Sequence, residues 1–249
     1  MEFLPIAIFF VGHWFLSLFS QTFFLHRYAA HKMFTMNIFW ERFFYLFTFV
    51  TQGSSFLNPR AYAIMHRMHH AYSDTEKDPH SPHYFRSMFQ MMMRTKDIYL
   101  DILLRKVDSP KNFEKDVPEW KWLDAVSSWW TPRILWGVAY AVFYFIFATE
   151  WWMFLLLPLH FIMGPIHGGI VNWFGHKLGY VNFTDTGDRS RNTLPFDFVT
   201  FGELFQNNHH RFPNSANFAK RWFEFDPTFP LMKLLEWMRI IKFTRSVDH

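Results

Sequence analysis

Residues Phe3 to Leu25 form an apolar run in which His13 is the only ionisable residue. A stretch of that length leaves the chain few ways to fold. At about 1.5 Å per residue, a helix over this run crosses a hydrocarbon core roughly 30 Å thick. The polar exceptions are Ser17, Ser20, Gln21 and Thr22, all in the second half of the run. It lacks a basic start and a small-residue cleavage site, which argues against a removed signal peptide. Three more apolar runs follow: Asn37 to Leu57, interrupted by Glu41 and Arg42; Ile134 to Ala148; and Trp151 to Val171. Only Thr149 and Glu150 separate the last two, which read as a helical hairpin. Pro158 and Pro165 should kink its second arm, and Gly164, Gly168 and Gly169 allow close approach to its backbone.

Composition agrees with a membrane chain. Of 249 residues, 22% are aromatic and only 18% charged, against roughly 25% charged in soluble proteins. One domain over 1–249 is expected at this length. The polar stretches Asn58–Pro132 and Asn172–His249 hold 11 and 10 of the 25 Lys plus Arg. The positive-inside rule therefore places both in the cytoplasm, as a helical cap over 58–132 and 172–249. A net charge of +4 is too small to suggest nucleic acid. There is no Cys, which excludes disulfides, thiolate metal sites, bound iron–sulfur clusters and a cysteine nucleophile.

Eight of the 14 His fall into groups: His26 and His31 in HRYAAH; His66, His69 and His70 in HRMHH; His176 in NWFGH; His209 and His210 in NNHH. On a helix, positions 66, 69 and 70 lie close enough for three imidazoles to converge. Imidazole nitrogen binds zinc, copper and iron. Eight convergent His exceed what one ion uses, so two metals are expected. If all groups share one side of a membrane, an even number of crossings must separate them. The single run between His31 and His66 must then be an interfacial or re-entrant helix over about 37–57. That leaves three spans, at about 3–25, 134–148 and 151–171. The expected fold is an all-α integral membrane protein whose cytoplasmic cap holds a His-rich dimetal site. His13, His160 and His167 read as intramembrane polar groups, His80 and His83 as loop residues, and His249 as a terminal residue.

These motifs resemble the integral-membrane fatty acid desaturase family, in particular its stearoyl-CoA (acyl-CoA Δ9) branch. The resemblance runs through HRYAAH, HRMHHAYSDTEKDPH, NWFGH, TGDRSRN and GELFQNNHHRFP in order. It implies a di-iron centre that uses O2 and two electrons to insert a cis double bond into a long acyl chain. By position, His26, His31, His66, His69, His70, His176, His209 and His210 match the family's ligands, and Asn172 matches an asparagine that holds a metal through water. Gln206 stands where this branch commonly has a ninth His, which leaves the ligand count open. The family's eukaryotic members have an additional span ahead of the one ending in the first His box.

Asp74, Glu76, Asp78, Asp185 and Asp188 are candidates to orient the ligand His, with Asp74 and Asp188 preferred. Trp14, Phe15 and Leu18, about two to three turns from His26, are the candidate walls of an acyl tunnel, and Arg60, Arg189 and Arg191 the candidate contacts of a phosphate-bearing headgroup. The expected substrate is a long-chain fatty acyl group, with acyl-CoA favoured. A separate donor, ferredoxin or cytochrome b5 with its reductase, is expected to supply electrons, because the chain shows neither a dinucleotide fingerprint nor a haem-binding extension. The expected location is a bacterial inner membrane, or the endoplasmic reticulum if the source is eukaryotic. The rival readings are a lipid hydroxylase of the same superfamily and a His-rich membrane metal transporter.

Overall fold

The computed structural model describes residues 3–244; His249 lies outside them. Helix α1 (Leu4–Ser20) passes without a break into a π-helical segment, Gln21–Ala30. The first apolar helix is therefore 27 residues long and carries His26 within it rather than beyond its end. Two residues of strand, β1 (Phe34–Thr35), lead to α2 (Ile38–Gln52), which is followed by α3 (Pro59–Tyr72), α4 (Met88–Leu103), α5 (Lys111–Glu114) and α6 (Lys121–Ser128). The apolar hairpin is α7 (Trp130–Phe147) followed by a 3-10 turn at Trp151–Leu156, α8 (Leu157–Phe161) and α9 (Met163–Gly175). Short helices α10 (Gln206–Arg211) and α11 (Thr228–Trp237) precede β2 (Lys242–Phe243), which pairs antiparallel with β1. That two-residue ladder is the departure from an all-α reading.

Local sequence explains the boundaries. Asn37 and Asn58 cap α2 and α3, their side chains accepting from Trp40 N and Ala61 N, which satisfies donors that a helix start leaves free. Helix α2 stops at Gln52, short of the expected Leu57, because Gly53 takes a φ of 52°. A side chain there would also collide with the Tyr140 hydroxyl. Between Pro158 and Pro165 the second arm bends by 73°, with the break at Ile162. Among the described residues, Leu4–Ala30 and Trp130–Phe147 are long and apolar enough to cross a membrane, and the bent pair is either a broken third span or a re-entrant loop. Helix α2 is not in that set. It runs antiparallel to α1, from Glu41 beside Tyr28 to Thr51 beside Ser20.

The main core lies behind the π-helical segment, where Phe23, Phe24 and Leu25 pack with Phe34, Phe44, Tyr45, Phe205 and Phe218. Each is nearly or fully buried, and a buried side chain of this size contributes about 1.5–3 kcal/mol. His26 lies in the same segment and His31 directly follows its end, with the core residue Phe218 5.5 Å from the His26 ring. One helix thus joins the apolar core to the polar centre.

Candidate metal centre

His26 and His31 are five residues apart, a spacing that on an α-helix leaves them about 140° apart. The π-helical segment closes i to i+5 bonds instead. His31 N donates to His26 O at 3.1 Å, and the two rings lie 5.0 Å apart. On α3, His66 and His70 share a face one turn apart, whereas His69 turns to a neighbouring direction. The expected convergence of all three is therefore split. His209 and His210, adjacent on α10, split in the same way.

Two groups of nitrogen atoms result. Ligand atoms of His26, His31, His66, His70 and His209 lie within 4.8 Å of one another, and those of His69, His176 and His210 form a second set. In the first, Nε2 of His31 is 2.7 Å from Nε2 of His66, and His70 Nε2 is 3.0 Å from His66 Nε2 and 2.9 Å from His209 Nε2. In the second, His69 Nε2 lies 3.3 Å from His210 Nε2. The sets adjoin, since the rings of His70 and His210 are 4.5 Å apart.

Carboxylates hold the far side of four rings. Nδ1 of His26 meets Glu203 at 2.5 Å, Nδ1 of His69 meets Asp78 at 2.9 Å, Nδ1 of His176 meets Asp74 at 2.9 Å, and Nδ1 of His210 meets Asp188. A carboxylate accepts the Nδ1 proton and leaves the Nε2 lone pair facing inward. Facing lone pairs repel unless a proton or a metal cation lies between them. His176 Nε2 is buried with no hydrogen-bond partner among the described residues. The donor set thus fits two metal ions.

Electrostatics favour neutral, ligating imidazoles. Burial holds His31, His66, His70 and His209 well below the ordinary imidazole value, and neighbouring His add to it. Burial also lowers His210, to about 4. Burial would lower His69 as well, but the Asp78 carboxylate outweighs it and the net shift is upward. For Asp74 and Asp188 burial favours the neutral acid, yet His176 and His210 respectively hold both carboxyls below the usual range, Asp74 at about 2. These acids stay ionised at neutral pH and lock their partners' tautomers. Asp188→Asn is expected to weaken metal retention by roughly 10–100-fold. Dialysis against a graded chelator series measures this, and unchanged retention would remove the orienting role.

Asn172 lies on α9 four residues before His176, and its Nδ2 donates to Gly168 O at 2.8 Å. Gln206 is buried against Gly175, where a side chain on the glycine would collide with it, and its Nε2 donates to Glu203 O at 2.6 Å. Of the expected tunnel residues, Leu18 is buried and Phe15 stacks on Phe201 at 5.2 Å. Trp14 sets its ring edge-on to His167 and donates from Nε1 to Val199 O. Arg189 and Arg191 line a cavity of about 350 Å³ that opens beside His176, together with Lys177, Thr184 and Ser190. Arg60 does not join them. Its buried guanidinium bonds Ile102 O and Glu114, so it holds α3 to α4 and α5 instead of facing a headgroup.

Three participants escaped the reading of the sequence as site residues. Glu203 and Arg27 form a buried group with Thr22 and Asp226 directly behind His26. Glu203 sits in the GELFQNNHH motif itself, and an acid six residues before His209 is the signal that could have flagged it. His80 lies in a turn, as expected, but it is buried against the centre. It is only 3% exposed, its ring lies 4.4 Å from that of His69, and neither ring nitrogen has a partner among the described residues. With His69 and Asp78 it forms a third group of metal-competent atoms.

Comparison with known proteins agrees with this geometry. The fatty acid desaturase family model matches residues 3–235. The sn-1 stearoyl-lipid 9-desaturase of Synechocystis sp. is 28% identical over 238 residues, which are 87% of this chain and 64% of the relative. The hex-5-enoyl-[acyl-carrier protein] acetylenase of Moorena producens is 27% identical over 252 residues, covering 93% of this chain and 74% of the relative. An acyl-CoA 5-desaturase of Anemone leveillei is 29% identical over 234 residues, covering 88% of this chain and 65% of the relative. The chain thus spans less than two thirds of the length of the Synechocystis protein. The apolar helices, the two histidine groups and a match over nearly the whole chain lead to one conclusion: the chain belongs to the fatty acid desaturase family.

Proposed function

We propose that the chain is an O2-dependent, non-haem di-iron fatty acyl desaturase that places a cis double bond, at Δ9, in a long-chain acyl group. The observation that carries this reading is the pair of adjoining all-nitrogen groups within a chain of this family. His26, His31, His66, His70 and His209 would hold one iron. His69, His176 and His210 would hold the other, with Asn172 acting through water and Gln206 beside them. When bound, the iron pair supplies the O2-dependent redox chemistry that removes two hydrogens from an unactivated chain.

The protein's own part is to orient and to exclude. Glu203, Asp78, Asp74 and Asp188 each hold one ligand ring by its Nδ1, which keeps the Nε2 positions within a narrow range. Burial of the ligand rings keeps bulk water from them. An acyl chain enters from the membrane along α1, with Trp14, Phe15 and Leu18 limiting its depth. Arg189, Arg191 and the cavity beside His176 suit an anionic carrier headgroup. The relatives' names mention a lipid, an acyl-carrier protein and coenzyme A; the basic lining favours coenzyme A here. Both histidine groups then face the cytoplasm, with α2 interfacial, and a separate ferredoxin or cytochrome b5 delivers electrons.

Expression in a host lacking acyl desaturases, followed by analysis of double bonds in total lipid, tests the reading. The purified protein should carry about two irons, lose product formation on chelation, and regain it with ferrous iron. A hydroxylated acyl product would select the hydroxylase alternative. Iron-free protein that still forms product would refute both.

A further inference from the structure

Residues 194–201 depart from the pattern of a cytoplasmic loop. Leu194, Phe196, Phe198 and Val199 are its exposed side chains, with Phe196 60%, Phe198 54% and Val199 53% exposed. Its polar side chains, Asp197 and Thr200, are fully buried. Water-facing loops normally show the reverse, so the segment is inside-out. Several acceptors of the segment, and the Thr200 N–H, are met from within. The Asp197 carboxylate accepts from Thr200 N and Leu204 N, Gly202 N donates to Asp197 O, and Phe225 N donates to Pro195 O. Such inward satisfaction is what irregular backbone requires where water is absent.

Its height along α1 is set by two contacts. Trp14 Nε1 donates to Val199 O at 3.2 Å, and Phe15 stacks on Phe201. Trp14 precedes His26 by twelve residues, or roughly 15–18 Å along the helix. Val11, about one turn from Trp14 and Phe15 on the same side of the spanning helix, is exposed. The loop's apolar surface is therefore continuous with a surface that faces lipid.

We propose that residues 194–201 enter the hydrocarbon layer beside α1, with lipid acyl chains as their partner. The same segment leads directly to Glu203 and α10, so this anchor holds the metal groups at a set height above the membrane interior. The inference is independent of the reaction.

The chain has no Cys, so one introduced thiol carries one spin label. In proteoliposomes of phosphatidylcholine and phosphatidylglycerol, labels at Phe198→Cys and Phe196→Cys should collide more often with dissolved oxygen than with a water-soluble nickel chelate. Val11→Cys provides the bilayer reference, and Lys111→Cys, exposed on the cap, the aqueous one. Labels at both loop positions that follow Lys111→Cys would overturn the proposal. Shielding from both reagents would also overturn it, because a second protein copy would then cover the loop.

Discussion

His69→Ala is expected to abolish product formation, and His31→Ala to reduce it less. The asymmetry follows from ligand number. His69 belongs to a group with only three imidazoles, His69, His176 and His210, whereas His31 is one of five. Removing His69 leaves two nitrogens and frees Asp78, whose carboxylate is buried and otherwise bonded to His69 Nδ1 and to the backbone N of Asp74 and His80. Metal content should fall from about two ions per chain to one. Product formation should fall by more than the roughly 100-fold typical of losing an outer-sphere partner. His31→Ala leaves four rings around its ion, so both metals should remain measurable. Iron analysis with product quantification on membrane-inserted protein checks both variants. Equal metal loss in the two would contradict the division into a five-ring and a three-ring group.

Arg27→Met is expected to cause the largest loss of stability of any single change outside the ligands. The Arg27 guanidinium is fully buried, reaches Glu203 at 3.0 Å and Asp226 at 2.8 Å, donates to Ala216 O and lies over the Phe218 ring. It ties the π-helical segment to two distant stretches of chain. Deleting one partner of a buried ion pair leaves uncompensated charge and costs about 3–5 kcal/mol, and here two carboxylates lose their cation. Because Glu203 also holds His26, metal retention should weaken in parallel. Arg27→Lys keeps the charge but cannot bridge both acids, so an intermediate effect is expected. Denaturant unfolding in detergent reads the difference. A midpoint for Arg27→Met equal to the parent's would show that the network contributes nothing net.

Much of the centre was legible because ligand chemistry is local. HRMHH, NWFGH and NNHH display clustered imidazoles by residue type and spacing alone. The acids Asp74 and Asp188 could be named because they lie near ligands in the chain, and the structure places them at His176 and His210. Glu203 could not be assigned to His26 in this way, since 177 residues separate the two. The environment of Arg60 is hidden from the sequence for a related reason. A lone Arg in a polar stretch looks free until its acceptors, Ile102 O and Glu114, are brought up by other helices.

By itself, the sequence determined the apolar helices, the clustered imidazoles without any thiolate, and the family. These follow from residue type and periodicity, which one segment displays without its neighbours. Only the tertiary structure decided how eight His divide into five and three, and that His80 is buried against His69. The same holds for the π-helical turn that brings His26 and His31 together. The physical reason is that such features depend on which face of a helix meets which partner, and that is set by packing between segments far apart in the chain.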